Sequence, residues 1–135
     1  MASVKLDTVR SGVKLLSGLL KKADQEWNSN GKVSKRELND FIDSYGDGAS
    51  MDKALENVYK YAQAKFKKSE PSVAELNKAL ADAMRNSAKA DKNDSKDLSP
   101  TERRTMAKTW DSVVEFAKDY KGSSVRDIMY PPSAP

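Results

Sequence analysis

Among its 135 residues the chain has no cysteine and no histidine. Disulfides, thiol nucleophiles, zinc sites of the Cys/His kind and imidazole acid–base chemistry are thereby excluded. A metal ion would have to be held by oxygen. No segment approaches the roughly 18 to 20 apolar residues needed to cross a bilayer, and Met1–Asp7 has no basic stretch leading into an apolar run. The expected location is the cytoplasm. There is no Gly-rich phosphate loop, and the Ser-His-Asp and Cys-His sets are impossible here, so the chain is expected to be non-catalytic.

What is present is ordinary for a helical domain. Hydrophobic residues make up 38% of the chain and charged residues 33%, and the length suits one domain with one core. The formal charge is +4 with a pI near 9.2. The basic residues lie in small groups, Lys21-Lys22, Lys35-Arg36, Lys65 with Lys67-Lys68, and Arg103-Arg104, interleaved with 20 acids. Such dispersion describes solvated helix faces rather than the clustered footprint of a nucleic-acid binder. The oligomeric state has no signature in the sequence.

Apolar periodicity predicts an all-α fold of about five helices. The first runs from about Val4 to Ala23, with Val9, Val13, Leu16, Leu20 and Ala23 on one face. A second begins at Ser34, whose Ser-x-x-Glu spacing to Glu37 is a capping box, and buries Leu38, Phe41, Ile42 and Tyr45. A third spans Ser50 to the residues before Pro71. The fourth is capped by Ser72 and Glu75 and runs to about Ala88. Pro100 opens the fifth, which is predicted to continue unbroken through Met106, Trp110, Val113 and Tyr120 to Gly122. Residues 1–122 then form the domain and 123–135 an extended Pro-rich tail, in which Ile128, Met129 and Tyr130 are able to dock on the bundle.

Two polar connections carry the chemistry. In Glu26–Glu37, oxygen side chains stand at the first, third, fifth and ninth places as Glu26, Asn28, Asn30 and Ser34. Gly31 is sixth, Val33 eighth and Glu37 twelfth. In Asp91–Glu102 the corresponding residues are Asp91, Asn93, Ser95 and Ser99, with Leu98 eighth and Glu102 twelfth; Lys96 takes the place of the glycine. This alternation of hard oxygens ending in glutamate is similar to the calcium loop of the EF-hand superfamily, and each loop with its flanking helices resembles an EF-hand helix–loop–helix unit. The apolar residues after each final glutamate support the likeness: Leu38, Phe41, Ile42 and Tyr45 in the first unit, and Met106, Ala107 and Trp110 in the second.

The resemblance implies a calcium-binding or calcium-modulated sensor, buffer or regulator. Its ligands would be Glu26, Asn28, Asn30, the Lys32 carbonyl, Ser34 and Glu37 in the first loop, and Asp91, Asn93, Ser95, Asp97, Ser99 and Glu102 in the second. It also implies that Val33 and Leu98 pair across a short β-bridge, with the third helix an insertion between the units. The entering helices are in phase only if the loops begin earlier, at Asp24 and near Ala88. The alternative is a metal-free adaptor or structural bundle whose loops are relics and which binds a protein partner or an acidic surface. Asn/Gly/Ser-rich linkers followed by Ser-x-x-Glu cap any helix. Capping alone does not account for an acid at the first place and an aliphatic residue at the eighth in both loops.

Overall fold

Apolar stripes spaced three to four residues apart become helices packed around a main core, with a smaller cluster of Val4, Val9, Ala90, Leu98 and Val114 beside it, in the computed structural model, which describes residues 3–27 and 29–130. In chain order the elements are β1 (Val4–Lys5), α1 (Leu6–Trp27), α2 (Lys35–Tyr45), α3 (Ser50–Phe66), α4 (Val73–Ala90), β2 (Asp97–Leu98), α5 (Pro100–Arg104), α6 (Lys108–Asp119) and α7 (Val125–Met129). The fold is all-α. Among the described residues no helix is long and apolar enough to cross a membrane.

The centre of the fold is α1, which packs along α4 and α6 and also touches α2 and α7. Its buried residues Val9, Leu16, Leu19, Leu20 and Ala23 follow the expected spacing. The crossing with α6 is unusually close at Gly12, where an added Cβ would stand 2.4 Å from Ala117 Cβ. Glycine here gives up helix propensity of roughly 1 kcal/mol so that the two backbones can meet.

The predicted fifth helix is two helices. It breaks over Thr105, Met106 and Ala107, where the Thr105 hydroxyl donates to the Glu102 carbonyl and Ala107 turns extended. A continuous helix rising about 1.5 Å per residue would carry Asp111 and Glu115 far beyond Arg103. The bend instead lets the Arg103 guanidinium reach Asp111 at 2.8 Å and Glu115 at 2.9 Å, and turns Trp110 into the core against Tyr61. Beyond Gly122 the chain is not simply extended: residues 125–129 form α7, with Met129 buried. Pro131 to Pro135 lie outside the described residues.

Loop pairing also departs from expectation. Val33 does not meet Leu98. Lys32 bridges Ser72, the Val33 N–H donates to the Pro71 carbonyl at 3.0 Å, and the Val73 N–H donates to the Gly31 carbonyl at 2.9 Å. Leu98 pairs instead with Val4, antiparallel. The third helix is therefore no mere insertion: α3 and α4 build a helix–loop–helix beside the first, and the N-terminal strand serves the second loop. Tyr59 fastens the first arrangement, its hydroxyl donating to the Val33 carbonyl at 2.8 Å and the Ser69 carbonyl at 3.1 Å. A Tyr59→Phe variant removes a side-chain donor that spans these two loops. It is expected to cost about 1–3 kcal/mol, seen as a lower urea midpoint with an unchanged slope.

Candidate functional site

Helix α1 runs one turn further than its apolar stripe, and this decides the geometry of the first loop. Its last turn is held against α2 by two contacts: Trp27 meets Phe41 edge-on with centroids 6.5 Å apart, and Glu26 accepts a short hydrogen bond from the Tyr45 hydroxyl. Glu26 is thus turned outward to Tyr45, where it was expected to open the loop. Asp24 occupies the inner position. It is only 5% exposed, and its two oxygens accept from the Asn30 and Gly31 amides, each at 3.2 Å. Asp24 stands four residues after Leu20 and eight after Leu16, an acid at the end of an apolar stripe. That spacing is the signal that identifies it.

Around this carboxylate the loop is built by local rules. Gly31 takes φ +80°, a left-handed conformation that glycine adopts without a Cβ penalty. The Asn30 side chain accepts from the Lys32 amide at 3.0 Å, which shapes the turn and leaves the Asn30 oxygen a second lone pair. Ser34 and Glu37 form the predicted capping box, Glu37 Oε1 accepting from the Ser34 amide at 2.9 Å and Ser34 Oγ from the Glu37 amide at 3.1 Å. The other oxygen, Glu37 Oε2, is buried with no hydrogen-bond donor among the described residues, and the residue as a whole is 8% exposed. Asn28 lies outside the described residues. Beside the loop opens a cleft of about 430 Å³ on whose walls stand Trp27, Asn30, Glu37, Asp40 and Glu70.

The second loop has the same plan and a different electrical outcome. Asp91 sits at the C-terminus of α4. Its Oδ1 accepts from the Ser95 amide at 3.1 Å and Ser95 Oγ at 3.2 Å, and its Oδ2 from the Lys96 amide at 2.8 Å. Lys96 adopts the left-handed turn, φ +65°, that glycine would take freely. Its ammonium pairs with Asp94 at 2.5 Å. Asn93 accepts from the Ser95 amide, Asp97 lies in β2 opposite Lys5, and Ser99 caps α5. Glu102 is fully engaged: Oε1 accepts from the Ser99 amide and Oε2 from the Lys92 amide across the loop mouth, both at 2.9 Å. These backbone donors hold its carboxyl below the usual glutamate range, with nearby Asp91 opposing.

Neither loop gathers a carboxylate cage. Among the described residues no three acidic side chains converge closely enough to hold a metal ion by themselves. A hard cation in the first loop would rest on Asp24, Glu37 and neutral oxygens. The unpaired Glu37 oxygen fits that role, because a buried carboxylate oxygen without a donor lacks the compensation that water, an amide or a cation supplies. In the second loop the counterpart of that oxygen, Glu102 Oε2, already has the Lys92 amide as its donor.

The Glu26–Tyr45 contact has its own signature. Hydrogen bonding to the Glu26 carboxylate, aided by burial, pushes the Tyr45 hydroxyl up to about 12; burial pushes Tyr59 up to about 12 as well. Since both are raised above the ordinary value of 10.0, the stability they contribute is fully present below that pH and is lost as pH rises towards 12. Tyrosinate absorbance at 295 nm is expected to show these two groups ionising late, and Glu26→Gln should return Tyr45 towards the ordinary value. Early ionisation of Tyr45 in the unaltered protein would contradict the contact.

No protein-family description, curated protein or solved structure matches this chain.

Proposed function

We propose that this is a non-catalytic, calcium-modulated helical protein of EF-hand-like construction. The first loop binds the metal and the second is a metal-free clasp. The observation that carries this reading is the buried Glu37 Oε2, without a donor among the described residues, at the end of a loop whose other buried acid, Asp24, already gathers the turn amides. Asp24 and Glu37 would hold the ion with help from Asn30, Ser34 and backbone carbonyls. The bound ion supplies positive charge where two carboxylates are withdrawn from water. With two acids rather than the four of a dense site, affinity belongs at the weak end of the range for such loops, about 10⁻⁴–10⁻³ M.

The second loop retains the shape and replaces the cation by N–H groups. Asp91 gathers turn amides as Asp24 does; the difference lies at the glutamate, where the Lys92 N–H meets Glu102 Oε2 and does there what a metal would do. For that loop the relic reading is therefore the better one.

Trp27 is 44% exposed and lines the cleft beside the first loop, while Trp110 is buried against Tyr61. A calcium titration is expected to change Trp27 emission saturably, with matching heat in calorimetry and no response in a Trp27→Phe variant. Flat traces in both measurements up to several millimolar calcium would sink the proposal.

A further inference from the structure

The cleft beside the first loop has a chemistry of its own, because three parts of the chain converge on it. The last turn of α1 brings Trp27, α2 brings Glu37 and Asp40, and the connection between α3 and α4 brings Glu70. Glu37 and Asp40 are three residues apart and so share a helix face. Glu70 is delivered by the loop pairing, since the next residue, Pro71, accepts from the Val33 N–H. The volume of about 430 Å³ lies within the span of pockets that hold small ligands, about 300–1,000 Å³.

The walls are lopsided in charge. Glu37, Asp40 and Glu70 stand against one cation, Arg36, whose side chain is 91% exposed and reaches Asp40 only at 3.9 Å. Glu70 is exposed and makes no ion pair among the described residues. Besides being pushed up by burial, the Tyr59 hydroxyl feels the charges of Glu70 and Glu37 together, so these two bear on one spot. The three carboxylates do not close on a single point as ligands of one metal ion would. They ring a larger space, and a larger cation fits it.

Two observations select that cation. Glu37 Oε2 is buried and has no donor among the described residues, so the occupant has to bring N–H groups; a quaternary ammonium has none. The Trp27 indole is 44% exposed and meets Phe41 at 79° rather than face to face, which leaves a flat aromatic surface at the rim. A guanidinium answers both: it is planar, presents five N–H groups in a fork that matches carboxylates, and stacks on aromatic faces. A lysine ammonium is a compact, strongly hydrated charge without that plane.

We infer that the cleft is a binding site for a guanidinium group, presented as an arginine side chain on a peptide partner. Trp27 covers one face of the group, Asp40 and Glu70 take its outer N–H groups, and Glu37 Oε2 takes the innermost. A free arginine would bring its own carboxylate towards acidic walls, which favours the peptide as the source. The site needs no metal. It shares Glu37 with the calcium site, and both ligands bring positive charge there, so each should weaken the other by the same factor.

The test is a titration of the full-length protein in chelator with Nα-acetylarginine amide, followed by Trp27 emission and calorimetry. Nα-acetyllysine amide, of equal charge, and free arginine are run beside it. Blocked arginine is expected to bind saturably with a Kd of about 1 mM, in keeping with so small a ligand, and more tightly than either control. Asp40→Asn and Glu70→Gln, both outside the capping box, should each weaken it by about fivefold or more. No saturable response, equal binding of the lysine compound, or unchanged affinity in the double variant overturns the site, and tighter binding of free arginine overturns the peptide source. Calcium heat without an arginine response removes this site and leaves the metal site standing; the converse removes the metal site alone. Where both ligands bind, a lack of antagonism overturns the placement of the guanidinium at Glu37.

Discussion

An Asp24→Asn variant is expected to bind calcium at least about tenfold more weakly, whereas Glu26→Gln leaves affinity within about threefold. The contrast follows from which acid faces inward. Asp24 is buried with both oxygens on the loop amides, so the substitution removes one of two ligand charges and puts an amide NH₂ opposite a backbone N–H. Glu26 spends its charge on the Tyr45 hydroxyl outside the loop. Calorimetry on the two variants, with circular dichroism to confirm that each is folded, decides the matter. If Glu26→Gln proves the more damaging, the loop begins at Glu26 and the ligand assignment fails.

Phe41→Ala is expected to give the largest loss of stability among single substitutions here, about 3–5 kcal/mol. Phe41 is fully buried and lies between Trp27 and Tyr45. Truncation removes the transfer free energy of the ring and leaves a cavity framed by helices that cannot all close in. Trp27 is the exception: half-exposed at the rim, it can swing partly into the gap, so the lower end of the range is expected. Against a typical total of about 5–15 kcal/mol, even that loss is a large fraction. A urea midpoint shifted by less than about 1 kcal/mol equivalent would mean that Phe41 does not anchor α2 against α1. Phe41→Leu, which keeps much of the volume, should cost less than half as much.

The parts of this fold that were legible in the sequence are those governed by local chemistry. Helix faces followed from periodicity, and the Ser-x-x-Glu boxes expected at Ser34 and Ser72 form as two-way caps, as does a third at Ser99. All three mark places where a short extended segment turns into a helix, and in each case a residue at or just before the cap is tied to another segment: Lys32 with Ser72, and Leu98 with Val4. Which segment pairs with which is a long-range matter that no local pattern encodes. The α3–α4 connection has no spaced acids to advertise it, so its role as partner to the first loop was invisible.

Two other departures have similarly distant causes. Breaking the predicted fifth helix places Arg103 between Asp111 and Glu115, a tertiary gain that overrides good helical periodicity. Helix α1 ends beyond its apolar stripe because its last turn is stabilised by Phe41 and Tyr45 rather than by the stripe itself. That shift moved the inward acid from Glu26 to Asp24. Within the site, residue types were legible and their donors were not: nothing local distinguishes Glu37, left with a bare oxygen, from Glu102, whose oxygens are both met by amides.

The pairing of Val4 with Leu98 has a consequence for biosynthesis. The Val4–Lys5 strand can find its partner only after residue 98 has been made, and α1 likewise waits for α4 and α6. Until then the apolar face of α1 has only its near neighbours for cover. Folding of the nascent chain should therefore finish late and in one step, and a stalled chain ending before residue 98 should be far more sensitive to protease than the released protein.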